Sequence, residues 1–151
     1  MKKSMIAILM SLALITVGIA PVMAADGTDI STLVAGGSSG SINSSAAFTA
    51  GAASKITGDV TAVAAVTIGA EAKVSGNINA GAGFTSGAYS KIKGSVTAKA
   101  DFVSGANSVI AGDVSTAGSI TLGANSKVLG SIHTGTGVIV YGSGATVGSV
   151  K

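Results

Sequence analysis

From Gly40 onward, apolar and polar positions alternate in short runs, and the runs return at a constant interval, opened in turn by Gly40, Gly58, Gly76, Gly94, Gly112, Gly130 and Gly148. In one unit Ile56, Gly58, Val60 and Ala62 fall on one side of an extended chain, and Thr57, Asp59 and Thr61 on the other. A period of two marks a strand with one buried side. Each unit opens with Gly, a polar residue, then Val or Ile, as in Gly58-Asp59-Val60 and Gly76-Asn77-Ile78. These openings set Ile42, Val60, Ile78, Val96, Val114, Ile132 and Val150 in one expected core ladder. Two places before each Gly stands Ile56, Val74, Ile92, Ile110, Val128 or Thr146, and mid-unit stands Phe48, Val66, Phe84, Phe102, Ile120 or Val138. A Gly-Ala turn follows from Gly51-Ala52 to Gly123-Ala124, and slips by one place to Tyr141-Gly142 in the last unit.

A self-similar unit at fixed spacing stacks upon itself. The pattern predicts an all-β fold over residues 40–151: a single-stranded parallel β-helix, or β-solenoid, of about six coils with neither insertion nor deletion. Rungs about 4.8 Å apart give a rod roughly 30 Å long. The mid-unit pairs support a constant cross-section. Phe48, Phe84 and Phe102 are followed two places on by Ala50, Ser86 and Ser104, whereas Val66, Ile120 and Val138 are followed by Ile68, Leu122 and Val140. Close packing demands such a trade of volume. Residues 25–39, rich in Gly and Ser, read as a linker or cap, with Ile30, Leu33 and Val34 its large apolar residues.

Residues 1–24 have the layout of a signal peptide: Lys2 and Lys3, an apolar run from Ile6 to Ala20, Pro21, then small residues at Val22 and Ala24 before a cut. The expected destination is the periplasm, the cell surface or the exterior. Nine lysines less these two leave seven against six carboxylates, so the mature charge is close to balance and gives no electrostatic case for nucleic acid. Arg is absent, which removes forked recognition of phosphate. Cys is absent too, which removes disulfides and thiolate metal sites. Aromatic residues make up 3% of the chain, so Val, Ile and Ala must supply most of the core.

Little in this alphabet suggests catalysis, and no cofactor, metal or enzymatic activity is expected. His133, the one histidine, falls on the outward side of its strand. Gly36-Gly37-Ser38-Ser39-Gly40 matches G-x-S-x-G without the strand-turn-helix context of a nucleophile elbow. Gly81-Ala82-Gly83 and Gly135-Thr136-Gly137 have no following helix to receive a phosphate. Two outward ladders are the better candidates. Thr49, Thr67, Thr85 and Thr121, with Val103 and Ile139 in the same series, form a row suited to ordering water or binding ice, though Thr also simply suits an exposed strand. Lys55, Lys73, Lys91 and Lys127, interrupted by Val109, form a basic ridge. Such a ridge suits an anionic polysaccharide, or keeps the rod soluble and blocks lateral aggregation.

The segment Val66-Thr67-Ile68-Gly69-Ala70-Glu71-Ala72-Lys73-Val74-Ser75-Gly76-Asn77-Ile78 resembles the bactofilins, polymer-forming bacterial β-helix proteins, and the resemblance extends over residues 40–150. It implies a right-handed triangular helix that polymerises head to tail with copies of itself. Bactofilins are typically cytoplasmic or on the inner membrane face, whereas this chain carries an export leader. The stretch Ser119-Ile120-Thr121-Leu122-Gly123-Ala124-Asn125-Ser126-Lys127-Val128-Leu129-Gly130 is similar to coils of the microbial ice-binding β-solenoids. The length of the unit also invites comparison with the left-handed hexapeptide helix of acyltransferases, but Ala72 stands where that pattern wants a large aliphatic residue. The resulting expectation is an exported structural protein that assembles end to end, with surface adsorption through the Thr row as the alternative.

Overall fold

The structure, a computed structural model, describes residues 29–151 together with the short strand Met23–Ala24. The leader assigned to residues 1–24 otherwise lies outside the described residues. The fold is an all-β solenoid of about seven turns with 18-residue spacing, with every strand pair parallel and no helix among the described residues. A full turn has three short strands, as in Val60–Ala62 on a first face, Val66–Ile68 on a second and Lys73–Val74 on a third. Each pairs with its counterpart in the next repeat: Val60 with Ile78, Val66 with Phe84, Lys73 with Lys91.

Alternation does the folding work. On the first and second faces the middle residue of each three-residue strand points out and its neighbours point in, so the interior is a set of columns. Ile42, Val60, Ile78, Val96, Val114 and Ile132 form one column, each at most 1% exposed. Burial of each such side chain contributes roughly 1.5–3 kcal/mol. The second-face pairs are buried together: Phe48 with Ala50, Val66 with Ile68, Phe84 with Ser86, Phe102 with Ser104, Ile120 with Leu122. Successive Phe84 and Phe102 rings stack with centroids 5.1 Å apart and planes 15° from parallel.

Corners bring backbone against backbone. A Cβ added at Gly112 would lie 2.6 Å from the Gly94 carbonyl carbon of the preceding turn, so only Gly allows the rungs to close up here. At the corner between the second and third faces, a residue of positive φ recurs once per turn. Gly36, Ala53, Glu71, Tyr89, Asn107, Asn125 and Gly144 hold it, with φ from 55° to 72°. The N–H of Ala53 donates to the Ala70 carbonyl at 2.8 Å, and Glu71 and Tyr89 donate in the same way to Ala88 and Ala106. The place after it, inward, is filled by Ser54, Ala72, Ser90, Ser108 and Ser126, all buried.

The two end turns depart from the regular spacing. Toward the N-terminus, Thr32–Leu33 pairs with Thr49 and Ala50, and Ser38–Ser39 with Lys55 and Ile56, a separation one place short of the full repeat. Leu33 is buried, which makes this stretch a turn of the solenoid and raises the count above six. Toward the C-terminus a residue is inserted. Thr116 pairs with Thr134 at the regular spacing, but Ile120 pairs with Ile139 and Val128 with Val147, each one place beyond it. Gly135 lies against Ala117 and Gly137 against Gly118, so the extra residue is Thr136, taken up between two glycines. The register returns at Ser149 through a bulge, where Ser131 pairs with Ser149.

This insertion corrects several expectations. The repeat is not free of insertions. Ile139 and Tyr141, not Val138 and Val140, are the second-face residues above Ile120 and Leu122, and Val138 is 66% exposed. Val140, not Ile139, continues the Thr row, and Val147, not Thr146, follows Val128 in its column. Val150 keeps its register with Ile132 but is 56% exposed, because no described turn lies beyond it.

Candidate functional site

The solenoid presents its chemistry as outward columns, since inward positions are given to the core. On the third face, Lys55, Lys73 and Lys91 stand on consecutive rungs, Val109 on the next and Lys127 beyond it. All four lysines are exposed. Their backbone is pinned. The N–H groups of Lys55, Lys73, Lys91 and Lys127 donate to the carbonyls of Gly37, Ser54, Ala72 and Ser108 at 2.8–2.9 Å. Lys93 adds a further cation two places beyond Lys91 and is also exposed.

On the second face, Thr49, Thr67 and Thr85 are in register and exposed, Val103 follows, and Thr121 comes next, half-buried. The companion row is the glycine column of Gly51, Gly69 and Gly87, so no second row of side chains stands beside it.

The first face carries a third column that the sequence pattern did not single out. Asn43, Thr61, Asn79, Thr97, Ser115 and His133 pair in order, one per turn. Its signal was present in the central polar residue of each strand, such as Asn79 in Ile78-Asn79-Ala80, but the residue type changes from turn to turn while the opening Gly does not. Beside it run two shallow hollows of about 350 and 300 Å³ that share Thr61 and Val63. His133 is exposed, and its Nδ1 lies 3.2 Å from the Lys151 carbonyl oxygen.

The polar residues after Gly58, Gly76, Gly94 and Gly112 have a structural task. The Asp59 carboxylate accepts from the Asn77 N–H at 2.7 Å, the Asn77 side-chain oxygen from Ser95 N–H at 2.9 Å, and the Asp113 carboxylate from Ser131 N–H at 2.6 Å. Each side chain thus serves a corner N–H of the next turn, which strand pairing leaves without a carbonyl. At another corner Asp101 accepts from Ser119 N–H at 2.8 Å in the same manner. Near the N-terminal end, Asp29 accepts from both the hydroxyl and the N–H of Ser45, and these bonds hold its carboxyl below the usual range.

Ser38, the centre of the G-x-S-x-G match, lies in a parallel strand paired with Lys55, with no helix after it. Among the described residues no three His, Cys, Asp or Glu side chains converge on a metal site. The arrangement is a set of outward columns, basic on the third face and Thr-rich on the second, interrupted at Val109 and at Val103. Comparison with protein-family models, with curated proteins and with solved structures returned no match.

Proposed function

We propose that the chain is a non-enzymatic structural protein, exported by its N-terminal leader, that joins end to end with copies of itself in the manner its resemblance to bactofilins implies. The observation that carries this reading is the apolar edge of the last described turn. Among the described residues, Ile139–Tyr141 and Thr146–Val150 have strand partners on one side only. Above the column that buries Ile132, Val150 stands 56% exposed, and Tyr141 at the second face is 46% exposed. An open parallel edge over an uncovered core is a template for another chain. Contact of this end with the opposite end of a second copy is heterologous and builds open filaments, not rings. The shortened spacing at one end and the lengthened spacing at the other mean that the junction is not a plain continuation of the repeat.

Electron microscopy and light scattering of the chain lacking residues 1–24 test the proposal. Filaments one solenoid wide are expected, and Val150→Lys should return them to monomers by setting a charge on the joining surface. A parent chain that stays monomeric at high concentration would overturn the reading.

Adsorption through the second face is the other reading, favoured by the alignment of Thr49, Thr67 and Thr85 on a strip bordered by glycine. Ice binding by this row requires thermal hysteresis that Thr67→Leu with Thr85→Leu abolishes. Its absence from the parent protein ends that reading.

A further inference from the structure

Five of the seven lysines among the described residues lie on the third face: Lys55, Lys73, Lys91, Lys93 and Lys127. Consecutive rungs are about 4.8 Å apart, inside the screening length of about 8 Å at physiological salt. The pinned backbone prevents the column from spreading along the axis. None of these lysines pairs with a carboxylate among the described residues. Asp59 and Asp113, at the next corner, already accept backbone N–H groups. Glu71, exposed two places before Lys73, is the one carboxylate among the described residues in the corner column beside them, and it makes no ion pair with them. A row of cations interrupted once, at Val109, is thus left for a linear counter-charge.

A second feature at its border narrows the chemistry. Tyr89, two places before Lys91, is 58% exposed. It occupies the positive-φ corner at φ 59°, a conformation in which a bulky side chain is an outlier. The fold imposes that conformation, since Ala53 and Glu71 share it. What is particular to this turn is a large aromatic ring kept in solvent beside the cations. An aromatic face stacks on the apolar face of a sugar ring, while lysines meet carboxylates as point charges. A nucleic acid would favour several aromatic platforms and guanidinium groups, and the chain has no Arg.

We propose that the third face binds a linear anionic polysaccharide laid along the rod axis, with Lys55, Lys73, Lys91 and Lys127 meeting its carboxylates and Tyr89 stacking on a sugar ring. This contact is independent of end-to-end joining, because the face lies along the side of each solenoid.

The probe is polygalacturonate, a linear uronate polymer, with dextran as the neutral comparison, titrated calorimetrically into the purified protein at low salt. Binding of polygalacturonate but not dextran is expected, weakening as salt rises. Lys73→Gln combined with Lys91→Gln should lower the affinity about tenfold, as two lost surface charge contacts imply. Lys99→Gln combined with Lys151→Gln, which removes the same charge elsewhere, should leave it unchanged. Val109→Lys closes the gap in the column and should tighten binding about threefold. Circular dichroism of each variant verifies that the solenoid is intact. An equal loss from the Lys99 and Lys151 pair, no gain from Val109→Lys, or tighter binding of single-stranded DNA would overturn the proposal, as would a parent protein that does not bind.

Discussion

A residue in this rod is defined by which column it joins. Val114 and Thr85 are both ordinary strand residues by composition, yet one is 1% exposed in a core column and the other faces solvent. Val114→Asp buries an unpaired charge and should cost about 3–5 kcal/mol in urea denaturation, whereas Thr85→Asp should stay within about 0.5 kcal/mol. Equal losses would show that the inward and outward assignments are wrong. The positive-φ corner makes a finer test. Asn107 and Asn125 suit that conformation, but Ala53 does not. Ala53→Asn should therefore stabilise the protein by up to about 1 kcal/mol, read as a raised thermal midpoint. The buried hydroxyls nearby differ in a similar way. Ser108 donates to the Gly105 carbonyl at 2.8 Å, while the Ser54, Ser90 and Ser126 hydroxyls find no partner among the described residues. Ala72 fills the same column without one, which shows that the site tolerates a methyl group.

At the scale of the element, strands of two or three residues are held by their stacking and not by their own propensity. Gly112→Ala forces the backbone of adjacent turns apart and should destabilise by more than about 1 kcal/mol, since no flexible side chain is there to yield. The N-terminal attachment is polar, with Asp29 bound to Ser45 and bridged to Asn43. Because the folded carboxyl titrates below its ordinary 3.8, this tie is fully present above that pH. It is lost as pH falls through the depressed folded value. Amide exchange at Ser45 should quicken there, and Asp29→Asn should remove that dependence. The inward columns of the middle turns were legible because Val, Ile and Phe recur without a slip from Ile42 to Ile120. The final turn was not, because Val138, Ile139 and Val140 are adjacent and equally apolar, so alternation alone does not choose between them. The displaced Tyr141-Gly142 turn was the visible trace of the inserted Thr136. The lysine and threonine columns were legible as spacing, whereas the first-face column and the Asp59 to Ser131 corner bonds needed the stacking of turns to bring their members together.

At the scale of the whole molecule, each turn touches only its neighbours, so stability is nearly a sum over turns and their interfaces. The last turn contributes least, with Val138, Val140, Tyr141 and Val150 all exposed. The same backbone pinning that straightens the basic column has a consequence for digestion. With no Arg in the chain, trypsin has only lysines to cut after. Lys55, Lys73, Lys91, Lys93, Lys99 and Lys127 all have their N–H groups bound to a neighbouring turn. A protease must draw an extended segment into its cleft, which here means pulling a rung out of the stack. Digestion in the rod's interior should therefore wait on opening of the solenoid and follow the population of opened molecules. Cleavage by trypsin is then a direct gauge of folding in this protein, and its resistance should disappear under the same conditions in which the turns come apart.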